Sequence, residues 1–453
     1  MHDLRTFLET VRRERPRDVV TVKRTVNPRY ETTAILTKLE QSFRFPILCF
    51  QSVDGCGFPV VTNVCGSTAR LALALKCTIA ELPQVYAARS AQPMKPEVKS
   101  EGAVQERVLQ GKDVDLRTFP QFVYHEGDSS QPYITAAIVV ARDPETGKSN
   151  LSFHRLMIVD RSTTGIFMAK GKHLEQIYRK YENAGEAMPI AAFLGVHPVC
   201  SLGALYSGSA DTEEYDIIGG LQQSPLALVD CITNDLQVPA DAEFVVEGLI
   251  PPRTRVNEGP FGEFTGYSTG NTSCPIVQVQ AITSRRDPIF QDIVSGHSEH
   301  LLLPVLGMEH HLLQVARAVA AGTVAVKIAL PLTVFVSLRK EDDEQPRQVI
   351  EALVKSDIYA KQVIVVDADV DASDLRQVAT AVSLNVRPDR DIHIFPQSLG
   401  TELDPSCESA DGLTAKFGID ATRPMKAARR VVKNRVPQNV LDSIDLSEFL
   451  SAN

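Results

Sequence analysis

What the sequence lacks narrows its class before anything in it is read. No uncharged apolar stretch reaches the roughly eighteen residues that a membrane-spanning helix needs. No arginine-rich run or basic stripe stands out, which argues against a nucleic-acid binder. None of the eight cysteines (Cys49, Cys56, Cys65, Cys77, Cys200, Cys231, Cys274 and Cys407) forms a CxxC pair. Scattered thiols in so long a chain read as small buried residues in a reducing compartment, not as a disulfide framework. The opening MHDLRTFLETVRRERPRD is charged from its third residue and has no apolar core of the secretory kind. Internal repeats and low-complexity tracts are absent too. These absences together lead us to expect a soluble, cytoplasmic protein.

What is there is ordinary globular material. The 453 residues are 43% apolar and 23% charged, with a net charge of −9. That is enough for two or three domains of roughly one to two hundred residues each. Leu4, Phe7, Leu8 and Val11 recur at helical spacing and predict an amphipathic first helix. Phe45–Phe50 and Phe58–Thr62 read as strands, and Arg70–Leu75 as a helix behind a Gly66-Ser67-Thr68 cap. From about Val104 the texture becomes β-rich, with strands expected at Tyr133–Ala141, Leu151–Val159 and Phe244–Leu249. Helical patterns interrupt it at Lys172–Ala184 and Glu213–Leu221. A helix from about Pro304 to Ala321 predicts a connection to a further α/β unit. There, strands are expected at Val324–Leu330, Thr333–Leu338 and Gln362–Asp367, helices at Pro346–Val354 and Ala372–Val382, and a parallel arrangement. Leu441, Ile444, Leu446 and Phe449 suggest a docking tail.

Five segments could carry chemistry. In NEGPFGEFTGY (Asn257–Tyr267) two carboxylates, Glu258 and Glu263, flank a tight turn. Such a pair in unequal environments divides into a charged partner and a proton donor; a solvated surface turn is about as good a reading. In SNLSFHR (Ser149–Arg155), strand alternation puts Asn150, Ser152 and His154 on one face and Leu151, Phe153 and Arg155 on the other. Asn150 offers an amide oxygen for a hard cation and Arg155 a permanent charge for an anion. Taken alone, a strand with one wet face is the better reading. MAKGKH (Met168–His173) has the glycine and cations of an anion-binding loop, although a solvated loop is commoner. In TEEYDIIGG (Thr212–Gly220), Glu213 and Glu214 open an apparent helix, where acids are favourable in any case. In GHSEHLLLPVLGMEHH (Gly296–His311) the spacing is not HExxH. His310 and His311 point ~100° apart on a helix and do not readily share a metal. His297 and His300 stay open as pocket residues.

Taken together, these segments resemble the UbiD family, including its ferulic acid decarboxylase and heteroaromatic acid decarboxylase branches. The likeness runs from PVVTNVCGSTARLALAL (Pro59–Leu75) through SNLSFHR, EEYDIIGGL, DLQVPADAEFVVEG (Asp235–Gly248) and NEGPFGEFTGY. It ends with VVDADVDASDLRQVATAVSLNVRPDRDI and GLTAKFGIDAT (Gly412–Thr422), in matching order and spacing. The fold it implies is α/β (α+β): an N-terminal α/β region (1–103), a split β-barrel flavin-binding domain (104–300), a linking helix (301–321), a C-terminal α/β oligomerisation domain (322–435) and a tail (436–453). It implies prenylated FMN in its iminium form, with Mn2+ on Asn150, His173 and Glu214 and K+ nearby. Ser152, Phe153, His154, Arg155, Met168 and Lys172 would surround the cofactor. Glu258, Arg155 and Glu263 match the family's catalytic network. Two departures stand out: LQQ (Leu221–Gln223) where many relatives read LRG, and Glu263 where some carry Asp.

The activity this resemblance implies is reversible, non-oxidative decarboxylation of an aromatic, heteroaromatic or α,β-unsaturated acid. Furan-, pyrrole- or indole-carboxylates are favoured, and the reaction would pass through a covalent adduct with the cofactor. Glu263 would supply the proton to the carbon that loses CO2, and Arg155 would orient Glu258 and hold it ionised. Phe153, Phe264 and Phe417 could line an apolar pocket, with His297 or His300 on a ring heteroatom. The expected partners are the carboxylic acid, a flavin prenyltransferase that supplies the cofactor, and further copies of the chain in a homodimer or larger homo-oligomer. Two rivals remain: a metal-dependent hydrolase using the same Asn, His and Glu residues, and a flavin-binding subunit of a larger carboxylase.

Overall fold

A computed structural model describes residues 3–207, 212–401, 403–407, 412–426, 434 and 436–446. The first apolar stripe becomes the helix Leu4–Glu14, with Leu4, Phe7, Leu8 and Val11 buried. Asp3 caps it by accepting from the Thr6 N–H. The strands Ile47–Phe50 and Val60–Thr62 and the helix Thr68–Ala74 follow as expected. Ser67 precedes that helix in extended backbone, without a side-chain capping bond. These strands share a four-stranded sheet with Val19–Val22 and with Phe290–Asp292, which runs parallel to Val60–Thr62. The N-terminal sheet is therefore built from two stretches of chain, and the region expected to end at residue 300 gives up a strand to it.

The central sheet has ten strands. Its path runs Tyr133–Ile134, Leu156–Ile158, Thr163–Ile166, Thr272–Ser284, Phe244–Ile250, Met188–Leu194, Ile138–Arg142 and Ser149–Phe153. Arg107–Gln110 and Arg255–Glu258 pair with the two halves of the long strand Thr272–Ser284. Ser149–Phe153 is the last strand of this path and Leu156–Ile158 the second, yet only His154 and Arg155 lie between them. Laid flat, the path would be ~34 Å wide at ~4.8 Å per strand. The chain from Phe153 to Leu156 reaches ~10 Å at most. The sheet must therefore curl until its ends meet, which makes it a split barrel with a seam. The His154 N–H extends the Ile138–Phe153 pairing by one step, to the Ala137 carbonyl at 3.1 Å. The expected continuous strands Tyr133–Ala141 and Leu151–Val159 both break there, because each crosses from one end of the sheet to the other.

Three helices pack on the seam strand Ser149–Phe153: His173–Ala184, Pro198–Ala204 and Glu214–Gln222. Beyond the barrel come the short helix Ser298–Leu302 and the linking helix Val305–Val319, with Pro304 at its N-cap. The C-terminal sheet has the order Thr323–Leu330, Thr333–Leu338, Gln362–Asp367, Leu413–Asp420, Ile392–Leu399. Its three middle strands are parallel as expected, whereas both edge strands are antiparallel. The helix Gln345–Ser356 ends over Lys416, whose buried ammonium donates to the carbonyls of Val354 and Asp357 at 3.0 and 2.8 Å. A cation there suits the free carbonyls and the dipole of a helix C-terminus. The helix expected at Ala372–Val382 starts later, at Leu375, because the Asp374 carboxylate caps the N–H groups of Arg376 and Gln377. Leu441, Ile444 and Leu446 of the expected tail are exposed, and Phe449 lies outside the described residues. No helix of the described residues is long and apolar enough to cross a membrane.

Gly307 is where the linking helix lies against the body of the molecule. A Cβ added there would sit 2.4 Å from the Leu205 carbonyl oxygen. Alanine favours the helix by ~1 kcal/mol over glycine, but overpacking against backbone costs ~1–3 kcal/mol. The clash should win, so Gly307→Ala is expected to lower the urea midpoint of unfolding. A midpoint equal to wild type or higher would show that the close approach carries no energetic weight.

Candidate active site

The seam that the topology forces also delivers the central charged group. Arg155 lies between two strands rather than within one, so the simple alternation that would place it beside Leu151 and Phe153 ends at residue 153. Its Nε and Nη2 donate to the two carboxylate oxygens of Glu258 at 2.8 and 2.9 Å, a bidentate pair. Its Nη1 donates to Oε1 of Glu263, and its Nη2 also reaches Thr269 Oγ1 at 3.3 Å. Phe167 and Phe261 lie against the guanidinium, with ring centres 4.3 and 4.7 Å from Cζ. Arg155, Glu258 and Glu263 are all buried, Glu258 completely. The turn reading of NEGPFGEFTGY holds in detail. Glu258 ends the strand Arg255–Glu258, and Phe261–Gly262 pairs with Ser268–Thr269, so both carboxylates come back onto one arginine.

The two carboxylates are not equivalent. Glu258 takes two hydrogen bonds from Arg155, and the Tyr133 phenol faces it closely enough to be held in its neutral form by burial and by that negative charge. Glu263 takes one. Burial pushes the Glu263 carboxyl above the usual range, opposed by Arg155 and the Phe264 N–H and reinforced by Glu258. One partner is thus a buried ion pair and the other a carboxyl poised to carry a proton. For Arg155, burial alone would favour losing its charge; the hydrogen bonds and charge of Glu258 outweigh that and hold its pKa above the usual value.

A second polar chain runs along the seam strand. Asn150 Nδ2 donates to Ser152 Oγ at 3.2 Å, Ser152 Oγ lies 2.9 Å from His154 Nε2, and His154 Nδ1 lies 2.8 Å from the Phe167 carbonyl. Burial holds His154 down to about 4, so the ring is neutral. A neutral ring facing a carbonyl must carry its proton on Nδ1 and accept the Ser152 hydroxyl at Nε2. Among the described residues, the chain of donors then leaves Asn150 with an uncommitted amide oxygen. Glu213 and Glu214 bind the same strand through the N–H groups of Ser149 and Leu151, at 2.9 and 3.0 Å. Burial pushes Glu214 up to about 7, opposed by the Leu151 N–H and its own backbone N–H. An amide oxygen and a buried carboxylate whose charge is poorly supported are a donor set that a divalent cation would satisfy. His173 opens the helix on the other side of the strand and is exposed. Among the described residues no three His, Cys, Asp or Glu side chains converge as a metal group; the Asn150, His173 and Glu214 set contains only two of those types.

The remaining candidates separate. Phe153 and Met168 are half-buried and pack on the cores either side of the barrel wall. Lys172 is exposed and places its Nζ 5.4 Å from the centre of the Tyr359 ring. Tyr359 in turn meets the edge of Phe264 at 5.7 Å, and Phe264 meets His300 at 6.2 Å. The C-terminal domain thus reaches the site through Tyr359, which sequence reasoning missed; nothing in SDIYAKQ marks it. Tyr133 and Thr269 were missed as well, because their roles exist only across the seam. His297 turns away from Phe264: its Nδ1 lies 2.8 Å from Glu40 Oε2, and its ring stacks on His125. Phe417 sits on the core between the C-terminal sheet and its helices, with Phe335, Ile364 and Val366, and not among Phe264, His300 and Tyr359. Its aromatic character alone suggested a pocket residue. His310 packs edge-on against Tyr86, and its pairing with His311 has no part in the site. At the LQQ departure, Gln223 ends the helix Glu214–Gln222 in left-handed backbone, φ 60°, where the glycine of the LRG pattern would sit without strain.

Comparison with known proteins matches this geometry to a family. Residues 12–89, 96–298 and 306–421 match, in turn, the N-terminal, Rift-related and C-terminal domains described as those of 3-octaprenyl-4-hydroxybenzoate carboxy-lyase, UbiD. A phenolic acid decarboxylase of Streptomyces sp. is 32% identical, over 93% of this chain and 92% of its own. An anhydromevalonate phosphate decarboxylase of Methanothermobacter thermautotrophicus is 29% identical, over 94% and 98%. The UbiD-class enzyme HmfF of Pelotomaculum thermopropionicum, solved in complex with FMN, superposes with a TM-score of 0.90 at 34% identity, over 99% of this chain and 100% of that one. An evolved dimeric form of that enzyme, in complex with prFMN, gives 0.87 at 32% identity, over 99% and 100%. With three family domains in order across a buried Glu258–Arg155–Glu263 network, the chain belongs to the UbiD family and is a carboxy-lyase of that family.

Proposed function

We propose that the protein catalyses reversible, non-oxidative decarboxylation of an aromatic, heteroaromatic or α,β-unsaturated carboxylic acid, with furan-, pyrrole- or indole-carboxylates favoured. The observation that carries this is the unequal pair of glutamates on one buried arginine. Arg155 locks Glu258 through two hydrogen bonds and leaves Glu263 with one, and burial favours the acid form of Glu263. That is the arrangement needed to hand one proton to a carbon that has just lost CO2. Losing CO2 from an unsaturated carbon leaves an unstable anion, and bound prenylated FMN supplies the electron sink that no side chain here can provide. Asn150, His173 and Glu214 would hold Mn2+ against the cofactor phosphate, with K+ nearby. The uncommitted amide oxygen of Asn150 and the buried carboxylate of Glu214 support that assignment. Ser152, His154, Met168 and Lys172 would border the cofactor. Phe264 and His300, with Tyr359 across the mouth, would enclose a flat substrate.

The chain would work in the cytoplasm as a homodimer or larger homo-oligomer, and would take its cofactor from a flavin prenyltransferase. A metal-dependent hydrolase using Asn150, His173 and Glu214 does not fit a carboxy-lyase family. A flavin-binding subunit without turnover has no use for a complete proton-donating network.

Co-expression with a flavin prenyltransferase is expected to yield coloured protein that releases CO2 from at least one member of a panel of furan, pyrrole, indole, benzoate and cinnamate-type acids. Full activity in protein that mass spectrometry shows to be free of flavin would sink the reading. Glu214→Ala should lower manganese and flavin content together, since the phosphate loses its cation. Wild-type occupancy of both in the purified variant would remove Glu214 from the metal set.

The two network glutamates should fail differently. Glu263→Gln cannot supply a proton, so net turnover should fall by about a hundredfold to ten-thousandfold. Exchange of labelled CO2 into substrate should outlast it, because the carbon–carbon bond breaks before the proton is needed. Glu258→Gln strips the bidentate partner from a buried guanidinium, which typically costs ~3–5 kcal/mol. Its signature should be lost stability and an altered flavin spectrum, with exchange and turnover falling together. A Glu263→Gln enzyme running at wild-type rate in buffered water would remove Glu263 from the chemistry.

A further inference from the structure

Glu263 has two oxygens, and only one is accounted for by Arg155. Oε1 faces the guanidinium, which donates and never accepts. A proton carried by Glu263 therefore sits on Oε2. The Phe264 N–H also acts on the carboxylate, and His300 faces Oε2, with Nε2 at 3.9 Å. That is longer than a hydrogen bond and within reach of a small side-chain rotation. The other ring nitrogen, Nδ1, accepts the Gly296 N–H at 3.1 Å. Gly296 takes left-handed backbone there, φ 74°, a conformation in which glycine is unstrained and other residues are not. A nitrogen that accepts an N–H carries no hydrogen, so the single proton of the neutral ring lies on Nε2, pointing at Glu263.

We propose that His300 is a positioning residue for the proton-donating step, acting as a neutral N–H donor to Oε2 of Glu263; this rests on the function proposed above. Its tautomer is set by the Gly296 backbone. The ring cannot take the proton from Glu263, because the nitrogen that faces it is already protonated. In the acid form of Glu263, two donors would meet at Oε2, so the O–H turns away from the ring towards the substrate. When Glu263 gives up its proton, the O–H bond breaks, a C–H bond forms at the carbon that has lost CO2, and the pair left on Oε2 accepts the His300 N–H. A proton from solvent restores the acid after product leaves. His300 thus favours the ionised form and makes Glu263 a readier donor, offsetting the burial that holds its proton on. The charged and titratable groups around this pair are Arg155 and Glu258 on Glu263, and Arg155 and His297 on His300. Burial, then Arg155 and His297, hold His300 down to about 4, so it stays neutral through the working range. Phe264 meets the His300 ring at 79°, with ring centres 6.2 Å apart.

The test compares two residues of equal length in the flavin-loaded enzyme. His300→Gln keeps an N–H where Nε2 stood, and His300→Met does not. Infrared difference spectra titrated with pH, each subtracted from a Glu263→Gln partner, isolate the carboxyl of Glu263. Loss of one hydrogen bond to the charged form should raise the Glu263 midpoint by about one pH unit in His300→Met. His300→Gln should return it most of the way. With furan-2-carboxylate as the probe substrate, the alkaline fall of kcat in His300→Met should move upward by the same amount, its plateau should drop about tenfold, and KM should stay within about threefold. Equal midpoints in the wild type and His300→Met would overturn the proposal. So would equal effects of Met and Gln, which mark packing, or an effect confined to KM, which marks a substrate contact. A Glu263→Gln enzyme with wild-type turnover would instead overturn the function reading, and the infrared comparison would still decide the His300–Glu263 contact.

Discussion

A permanently charged guanidinium buried in the wall of a protein is costly unless it is paired and hydrogen-bonded. At Arg155 two carboxylates, a threonine hydroxyl and two aromatic faces meet that demand. Much of the surrounding architecture follows from supplying these partners. The strand Arg255–Glu258 pairs with the long central strand and brings Glu258. The turn beyond it folds back through the Phe261–Gly262 and Ser268–Thr269 pair and brings Glu263 and Thr269. The arginine itself stands where a sheet must close on its own ends. The geometry that closes the barrel thus fixes the position of the Glu258–Arg155–Glu263 network.

The site draws on every part of the chain. The barrel supplies Arg155 and both glutamates. The N-terminal region reaches the short helix Ser298–Leu302 through Glu40, whose carboxylate takes the Ser298 N–H and faces His297, and through the Cys65 N–H on Glu299. That helix carries His300. The C-terminal domain contributes Tyr359, just after the helix Gln345–Ser356, whose end is tied down by the buried Lys416 through the Val354 and Asp357 carbonyls. Phe264 thus stands between His300, on a helix braced by the N-terminal region, and Tyr359 of the C-terminal domain.

Much was legible without coordinates. Local apolar period alone sufficed for the helices Leu4–Glu14, His173–Ala184 and Glu214–Gln222 and for the strands Thr333–Leu338 and Gln362–Asp367, because in each the pattern that buries the residue also sets the backbone. The motif NEGPFGEFTGY indicated two carboxylates brought together by a turn. Illegible were the breaks at 135–137 and 154–155, since a strand that changes neighbours looks continuous in hydrophobicity. The return of Phe290–Asp292 to the N-terminal sheet was hidden for a related reason: three residues carry no address. Phe417 was misplaced because an aromatic residue reads the same in a pocket and in a core.

The sequence by itself determined the chemical inventory: one arginine, two glutamates, an amide, an imidazole and a further carboxylate at spacings that resemble a family. Those are properties of residue type and order, and no fold is needed to state them. The tertiary structure decided their inequality. That Glu258 takes two bonds from Arg155 and Glu263 one, that His300 faces Glu263 while His297 faces Glu40, and that Tyr359 comes in from the C-terminal domain all depend on distances between segments far apart in the chain. Protonation and hydrogen-bond direction are set by burial and by neighbours, and neighbours across a seam exist only once the sheet has closed.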